Sequence, residues 1–105
     1  MEATEQAEVM GLHARLCGAL ADPKRLLLIY ELNSGPRTVT ELCRSLGLSQ
    51  SNVSQHLAVL RDRGVVSAGR SGNNVVYRLR GRQVVEALDL LREFMRKQAS
   101  VAAST

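Results

Sequence analysis

Between Thr38 and Gly64 the chain carries the start and stop signals of two helices separated by one tight turn, and nothing else in it restricts the fold as much. Thr38 and Glu41 have the spacing of a capping box, in which each side chain satisfies a backbone N–H that the first helical turn leaves unpaired. The short apolar pattern after them ends at Gly47, a residue that adopts the left-handed backbone closing a helix at little cost. Ser49 then offers an N-cap to a second helix, from Gln50 to about Arg63. Its Val53, Leu57 and Leu60 form one stripe before Gly64 stops it. A short helix, a glycine-containing turn and a longer helix with a polar first turn make a helix-turn-helix.

The flanking segments give that pair something to pack against. From about Glu5 to Leu20, the residues Val9, Leu12, Leu16, Ala19 and Leu20 recur three and four apart, the stripe of an amphipathic helix. Asp22 caps and Pro23 opens a second helix running to about Leu32, with Leu26, Leu27, Ile29, Tyr30 and Leu32 expected mostly inward. Asn33-Ser34-Gly35-Pro36 ends it. Beyond Gly64, Val65 to Arg70 and Val75 to Leu79 read as two strands around Ser71-Gly72-Asn73-Asn74, where Gly and Asn are expected to supply the positive φ angles of a tight hairpin. A last helix, from about Gly81 to Gln98, carries Val84, Val85, Leu88, Leu91, Phe94 and Met95 in a broad stripe. The expected organisation is a flexible N-terminus over 1–7, one domain over 8–98 and a flexible tail over 99–105. The expected fold class is mainly α with a two-stranded β-wing, a winged helix-turn-helix.

A chain of 105 residues has room for one small core, which weighs against a multidomain enzyme with separate cofactor and substrate lobes. With 3% aromatics and no Trp, that core must be built from Leu, Val and Ala. The formal charge of +4 is modest, and its distribution says more than its size. Residues 1–60 hold five basic and six acidic side chains, whereas residues 61–82 hold six arginines (61, 63, 70, 78, 80 and 82) against Asp62 alone. The excess sits over the end of the second helix and the wing, where it suits a phosphate track. Two cysteines are too few for a disulfide scaffold and fit a reducing cytosol; no apolar run reaches the ~18 residues of a membrane span. A cytoplasmic protein is expected. No phosphate-cradling Gly-rich loop, no HExxH pattern and no nucleophile joined to a base is present, so no enzymatic activity is expected.

The segment Ser49 to Leu57 reads SQSNVSQHL. With Val53 and Leu57 inward, Gln50, Ser51, Asn52, Ser54, Gln55 and His56 remain for solvent or a ligand. Such side chains hydrogen-bond base edges and phosphates, and a helix N-terminus adds free N–H groups for an anion. A merely solvated helix face commonly mixes in Glu, and this run has no acidic residue. The candidate DNA-binding set is therefore Thr38, Gln50, Ser51, Asn52, Ser54, Gln55, His56, Arg61, Arg70, Asn73 and Arg78. The expected partner is double-stranded DNA, with Arg70 and Asn73 at the wing touching the backbone or the minor groove. Two other readings are a protein-interaction winged helix that uses its basic wing on an acidic protein, and a non-specific architectural DNA protein. The second would spread basic residues more widely and carry apolar wedges, and neither feature is evident.

The order helix, helix, helix-turn-helix, wing, helix, together with ALADPKRL (19–26), LGLSQS (46–51) and QHLAVLR (55–61), resembles the ArsR/SmtB family of bacterial winged-helix repressors over roughly residues 8–96. The resemblance implies a homodimer joined through the first and last helices, bound to a palindromic operator and released by a small inducer, often a metal ion. It also places Ser51, Ser54, Gln55 and His56 where that family contacts DNA. The apolar stripes on the terminal helices ask independently for burial, which makes Leu12, Leu16, Leu20, Val84, Leu88, Leu91 and Met95 the candidate dimer interface.

For the inducer the chain departs from the family. The thiolate site of a Cys-Val-Cys type in the first helix of the helix-turn-helix is replaced by Thr38-Val39-Thr40-Glu41-Leu42-Cys43, and residues 84–98 contain no His for a site on the last helix. What remains is His13 and Cys17, four apart on the first helix, plus Cys43. Three readings stand: the thiols pack as small hydrophobes, they form a redox or persulfide sensor that relieves repression, or they hold zinc or another thiophilic metal ion with His13. No cofactor is established by the sequence.

Overall fold

A computed structural model describes residues 1–104; Thr105, the end of the expected tail, lies outside the described residues. The element order is α1 (Ala3–Leu12), a π-helical turn (His13–Cys17), α2 (Pro23–Leu32), α3 (Val39–Leu46), α4 (Gln50–Asp62), β1 (Val66–Ser71), β2 (Asn74–Leu79) and α5 (Gln83–Ser104). The local signals explain most boundaries. The Asp22 carboxylate accepts from the Lys24 backbone N–H at 2.8 Å, with Pro23 in the first helical position of α2. Thr38 and Glu41 form the reciprocal capping box at the start of α3, and Gly47 closes that helix at φ 66°. The Ser49 hydroxyl accepts from the Asn52 N–H at 3.1 Å and starts α4.

Four features differ from the sequence reading. The first helix begins at Ala3, where the Glu5 carboxylate accepts from the Glu2 N–H, and the last continues to Ser104, so both reach past the outer bounds that the apolar stripes give. The first helix also widens into a π-turn over His13–Cys17 before α2. On α2, Leu28 is buried and Leu27 faces out, because the stripe facing α4 is Leu28, Ile29 and Leu32. The hairpin pairs Ser71 with Asn74, so its loop is Gly72-Asn73, and only Gly72 has a positive φ, 63°. This is the two-residue hairpin with glycine first, not one with both central residues left-handed.

The core lies between α2, α3 and α4. Leu28, Ile29, Leu32, Leu42, Val53, Leu57 and Leu60 are buried there, with Ala19, Val65, Val66, Val85 and Leu88 completing it. Each such side chain contributes about 1.5–3 kcal/mol on burial, so this layer fixes the angle between α3 and α4. The wing is held to the same body by Arg37, whose N–H and C=O pair with Tyr77 at 3.0 and 2.8 Å, an isolated bridge that adds a third short edge to the hairpin. The α5 helix is tied to α2 by the Tyr30 hydroxyl, which donates to Asp89 at 2.8 Å, and by Arg92, whose guanidinium lies 5.3 Å from the centre of the Tyr30 ring.

Candidate nucleic-acid interface

The helix α4 divides its residues as its stripe requires. Val53, Leu57 and Leu60 are buried, and Gln50, Ser51, Ser54, Gln55, Ala58 and Arg61 are exposed in one continuous face. Asn52 and His56 are half-buried at the flank of that face. Asp62, at the far end of the helix, is its only acidic residue, so the first three turns present donors, acceptors and a helix N-terminus without a competing negative charge. Thr38 is half-buried, and its hydroxyl oxygen accepts from the Glu41 N–H at 3.2 Å.

Between α4 and the wing lies an open groove of about 500 Å³ lined by Ser54, Ala58, Arg61, Asp62 and Tyr77. The strand register decides which wing residues face it. Ala68 pairs with Tyr77 and Arg70 with Val75, whereas Ser67 pairs with Arg78, so Arg70 shares the Tyr77 face and Arg78 lies on the opposite one. Arg70, Asn73 and Arg78 are all exposed. The six arginines of residues 61–82 thus do not form a single track. Arg61 lines the groove, Arg70 shares the wing face of Tyr77, Arg78 lies on the other face, and Arg63 is committed to the fold: its guanidinium donates to the Ala14 carbonyl at 2.6 Å.

Arg63 belongs to a reciprocal strap that hydrophobic periodicity does not announce. The Arg15 guanidinium donates back to the Arg63 carbonyl at 3.1 Å, binding the π-turn to the C-terminal end of α4. Gly64 is required beside it, since its φ is 77° and a Cβ there would meet the Arg15 guanidinium. A second tie runs from Arg25, whose guanidinium donates to the Ala19 carbonyl at 2.7 Å and the Gly18 carbonyl at 3.1 Å and lies 3.2 Å from His56 Nδ1. Asp22 shares this neighbourhood. The hydrogen bond from the Lys24 backbone N–H is the main influence that holds its carboxyl below the usual value.

The candidate interface and sensor residues are placed unevenly. Leu88 is buried in the core of its own chain, and Leu16, Leu20 and Val84 pack partly against that core, while Leu12, Leu91 and Met95 stand exposed. Phe94 and Leu90 are exposed beside them. Cys17, at the end of the π-turn, is exposed, so the packing reading does not hold for it; Cys43 is half-buried against the core. Among the described residues no three His, Cys, Asp or Glu side chains gather closely enough to hold a metal ion. His13, Cys17 and Cys43 therefore do not form a donor set within one chain.

A helix-turn-helix whose second helix exposes three turns without an acidic residue, with a β-hairpin beside it, defines the class of winged helix-turn-helix proteins. The profile described as "Bacterial regulatory protein, arsR family" matches residues 22–68. The chain is 44% identical over 71 residues to the HTH-type transcriptional regulator NmtR of Mycobacterium tuberculosis, a match covering 68% of this chain and 59% of that protein. It matches the crystal structure of the transcriptional repressor BigR from Xylella fastidiosa at 30% identity and a TM-score of 0.75, covering 90% of this chain and 96% of that one. The solution structure of the homodimeric winged helix-turn-helix DNA-binding domain of Mb0332 from Mycobacterium bovis matches at 26% identity and a TM-score of 0.78, covering 94% of this chain and 91% of that one. The chain belongs to the arsR family. It spans little more than half the length of the first curated relatives it matches.

Proposed function

We propose that this chain is a homodimeric, sequence-specific, double-stranded DNA-binding transcriptional regulator that acts as a repressor, a binding protein and not an enzyme. The observation that carries the reading is the exposed face of α4, where Gln50, Ser51, Ser54 and Gln55 stand on three turns without an acidic residue, next to a groove lined by Arg61, Asp62 and, from the wing, Tyr77. Asn and Gln amides and Ser hydroxyls match the donor and acceptor pattern of base edges in the major groove. Arg61, Arg70, Asn73 and Arg78 supply contacts outside the reading face, Arg70 from the groove side of the wing and Arg78 from its other side. Thr38 and Asn52 flank the reading face.

Two recognition helices related by a twofold axis call for a palindromic operator with half-sites about one helical turn, ~34–36 Å, apart. The homodimeric state of Mb0332 and the exposed Leu12, Leu91 and Met95 support assembly through the terminal helices. The similarity to BigR, a transcriptional repressor, supports the direction of regulation. Release by a small inducer completes the reading; of the two thiols, the exposed Cys17 is the more accessible to a thiol-reactive species. The regulator is proposed to act in the cytoplasm; no helix among the described residues is long and apolar enough to cross a membrane.

Selection of duplexes from a random pool, followed by gel shifts at physiological salt, tests the proposal. A palindromic duplex is expected to bind at least about 1000-fold tighter than random duplex. Gln55→Ala is expected to relax preference at one base pair, and Arg70→Ala to weaken all duplexes similarly and reduce the salt slope by about 1. Equal binding of the selected and random duplexes overturns the reading.

A further inference from the structure

Among the polar residues of the first two turns of α4, His56 is fastened to another element by its side chain. Its Nδ1 lies 3.2 Å from an Nη of Arg25, at the start of α2. A guanidinium has only N–H donors, so Nδ1 must supply the lone pair, and the proton of the neutral imidazole then sits on Nε2. Arg25 is itself fixed. Its Nε and its other Nη donate to the carbonyls of Ala19 and Gly18, at the joint between the first helix and α2. A planar fork with three acceptors in three directions has little freedom to turn, so the imidazole is oriented by the body of the protein and not by α4 alone.

We infer that Arg25 is a positioning residue that locks His56 as its Nε2–H tautomer, so that α4 presents a hydrogen-bond donor at this position and requires an acceptor on the DNA. This rests on the reading of α4 as the DNA-reading helix. Acceptors in the major groove are N7 and O6 of guanine, N7 of adenine and O4 of thymine; a phosphate oxygen is the other source of the same chemistry. The amino group of cytosine is a donor and is disfavoured opposite the locked ring. The lock also joins recognition to the joint at Gly18 and Ala19, because displacing those carbonyls frees Arg25 and with it the tautomer.

The test begins with the unaltered full chain. Long-range proton–nitrogen correlation spectra of ¹⁵N-labelled protein at pH 8, with His13→Gln used to assign the rings, are expected to show His56 protonated on Nε2 and bare on Nδ1. Protonation on Nδ1, or rapid averaging of the two tautomers, overturns the lock whatever any variant does. Arg25→Met is expected to release the ring into such averaging. Arg25→Met and His56→Ala are each expected to weaken binding to the selected duplex about tenfold, with the double variant within about twofold of either one, because both remove the same interaction. Loss confined to one base pair identifies a base edge as the acceptor; uniform weakening with a salt slope lower by about 1 identifies a phosphate. Either supports the inference if the two variants share it, and losses that multiply overturn it. If Arg25→Met fails to fold, the spectrum of the unaltered chain and the His56→Ala profile decide. A locked tautomer in a protein that prefers no duplex refutes the DNA-reading role and leaves the ring geometry standing.

Discussion

The helix α4 and the far half of α5 have the same kind of sequence, apolar residues three and four apart on an otherwise polar helix, and opposite surroundings. Val53, Leu57 and Leu60 of α4 are 0% exposed, whereas Leu91, Phe94 and Met95 of α5 are 60%, 61% and 68% exposed. Periodicity states that a face needs burial, and it does not state by what. The stripe of α4 is met within the chain by α2 and α3; the stripe of distal α5 extends beyond Leu88, the last of its residues to reach the core. Exposed apolar residues clustered along both terminal helices are the pattern of a face awaiting a second molecule, which the proposed dimer supplies.

That contrast can be broken by mutation. Leu57→Ala is expected to lower unfolding stability by about 2–5 kcal/mol, because it opens a cavity in a closed layer. Urea denaturation measures it, and Leu91→Ala in the same experiment should cost much less at low protein concentration and progressively more as concentration rises. A loss at Leu91 that ignores concentration would show that its face is covered within the chain.

A charge on the terminal face sharpens the same point. Phe94→Glu is expected to weaken self-association by at least about tenfold, since an unpaired carboxylate would have to be desolvated, while leaving helical content unchanged. Sedimentation equilibrium and circular dichroism together check it. Unchanged self-association would remove α5 from the interface.

The smallest effect belongs to the capping box, which neither region's packing supplies. Hydrogen bonds from the Thr38 backbone N–H and from its side chain hold the Glu41 carboxyl below its ordinary value of 4.5. A carboxyl that binds its proton more weakly when folded stabilises the fold above its unfolded value, and this contribution is lost as pH falls through the lower folded one. Glu41→Gln is therefore expected to flatten the decline of stability below about pH 4.5 and to leave the dependence near pH 7 alone, as thermal unfolding across pH reads out. An unaltered acid limb would mean that the cap does not titrate with folding.

Much of the fold was legible because its signals are local. The caps at Asp22, Thr38 and Ser49, the stop at Gly47 and the inward stripe of α4 each involve residues within a turn of one another, and the chain obeys all of them. The exposed set Gln50, Ser51, Ser54 and Gln55 followed from that stripe by elimination. What escaped was long-range. The straps joining Arg15 to Arg63, Arg25 to His56 and Arg37 to Tyr77 link residues 31 to 48 apart, or pair a strand stub with the wing, and no spacing rule announces them. The π-turn escaped for a related reason: it leaves the apolar pattern intact over two turns and changes only the phase of the residues after it.

By itself the sequence determined where helices begin and end, which faces must be buried and where positive charge accumulates, since capping, periodicity and charge are properties of neighbours along the chain. Only the tertiary structure decided that Arg70 and Arg78 stand on opposite faces of the wing, that Arg63 serves the fold, that Leu88 belongs to the core while Leu91 does not, and that His56 is held by Arg25. The wing outcome depends on the hairpin register, and the others on distances between residues far apart in sequence, which exist only once the α2, α3 and α4 core has closed.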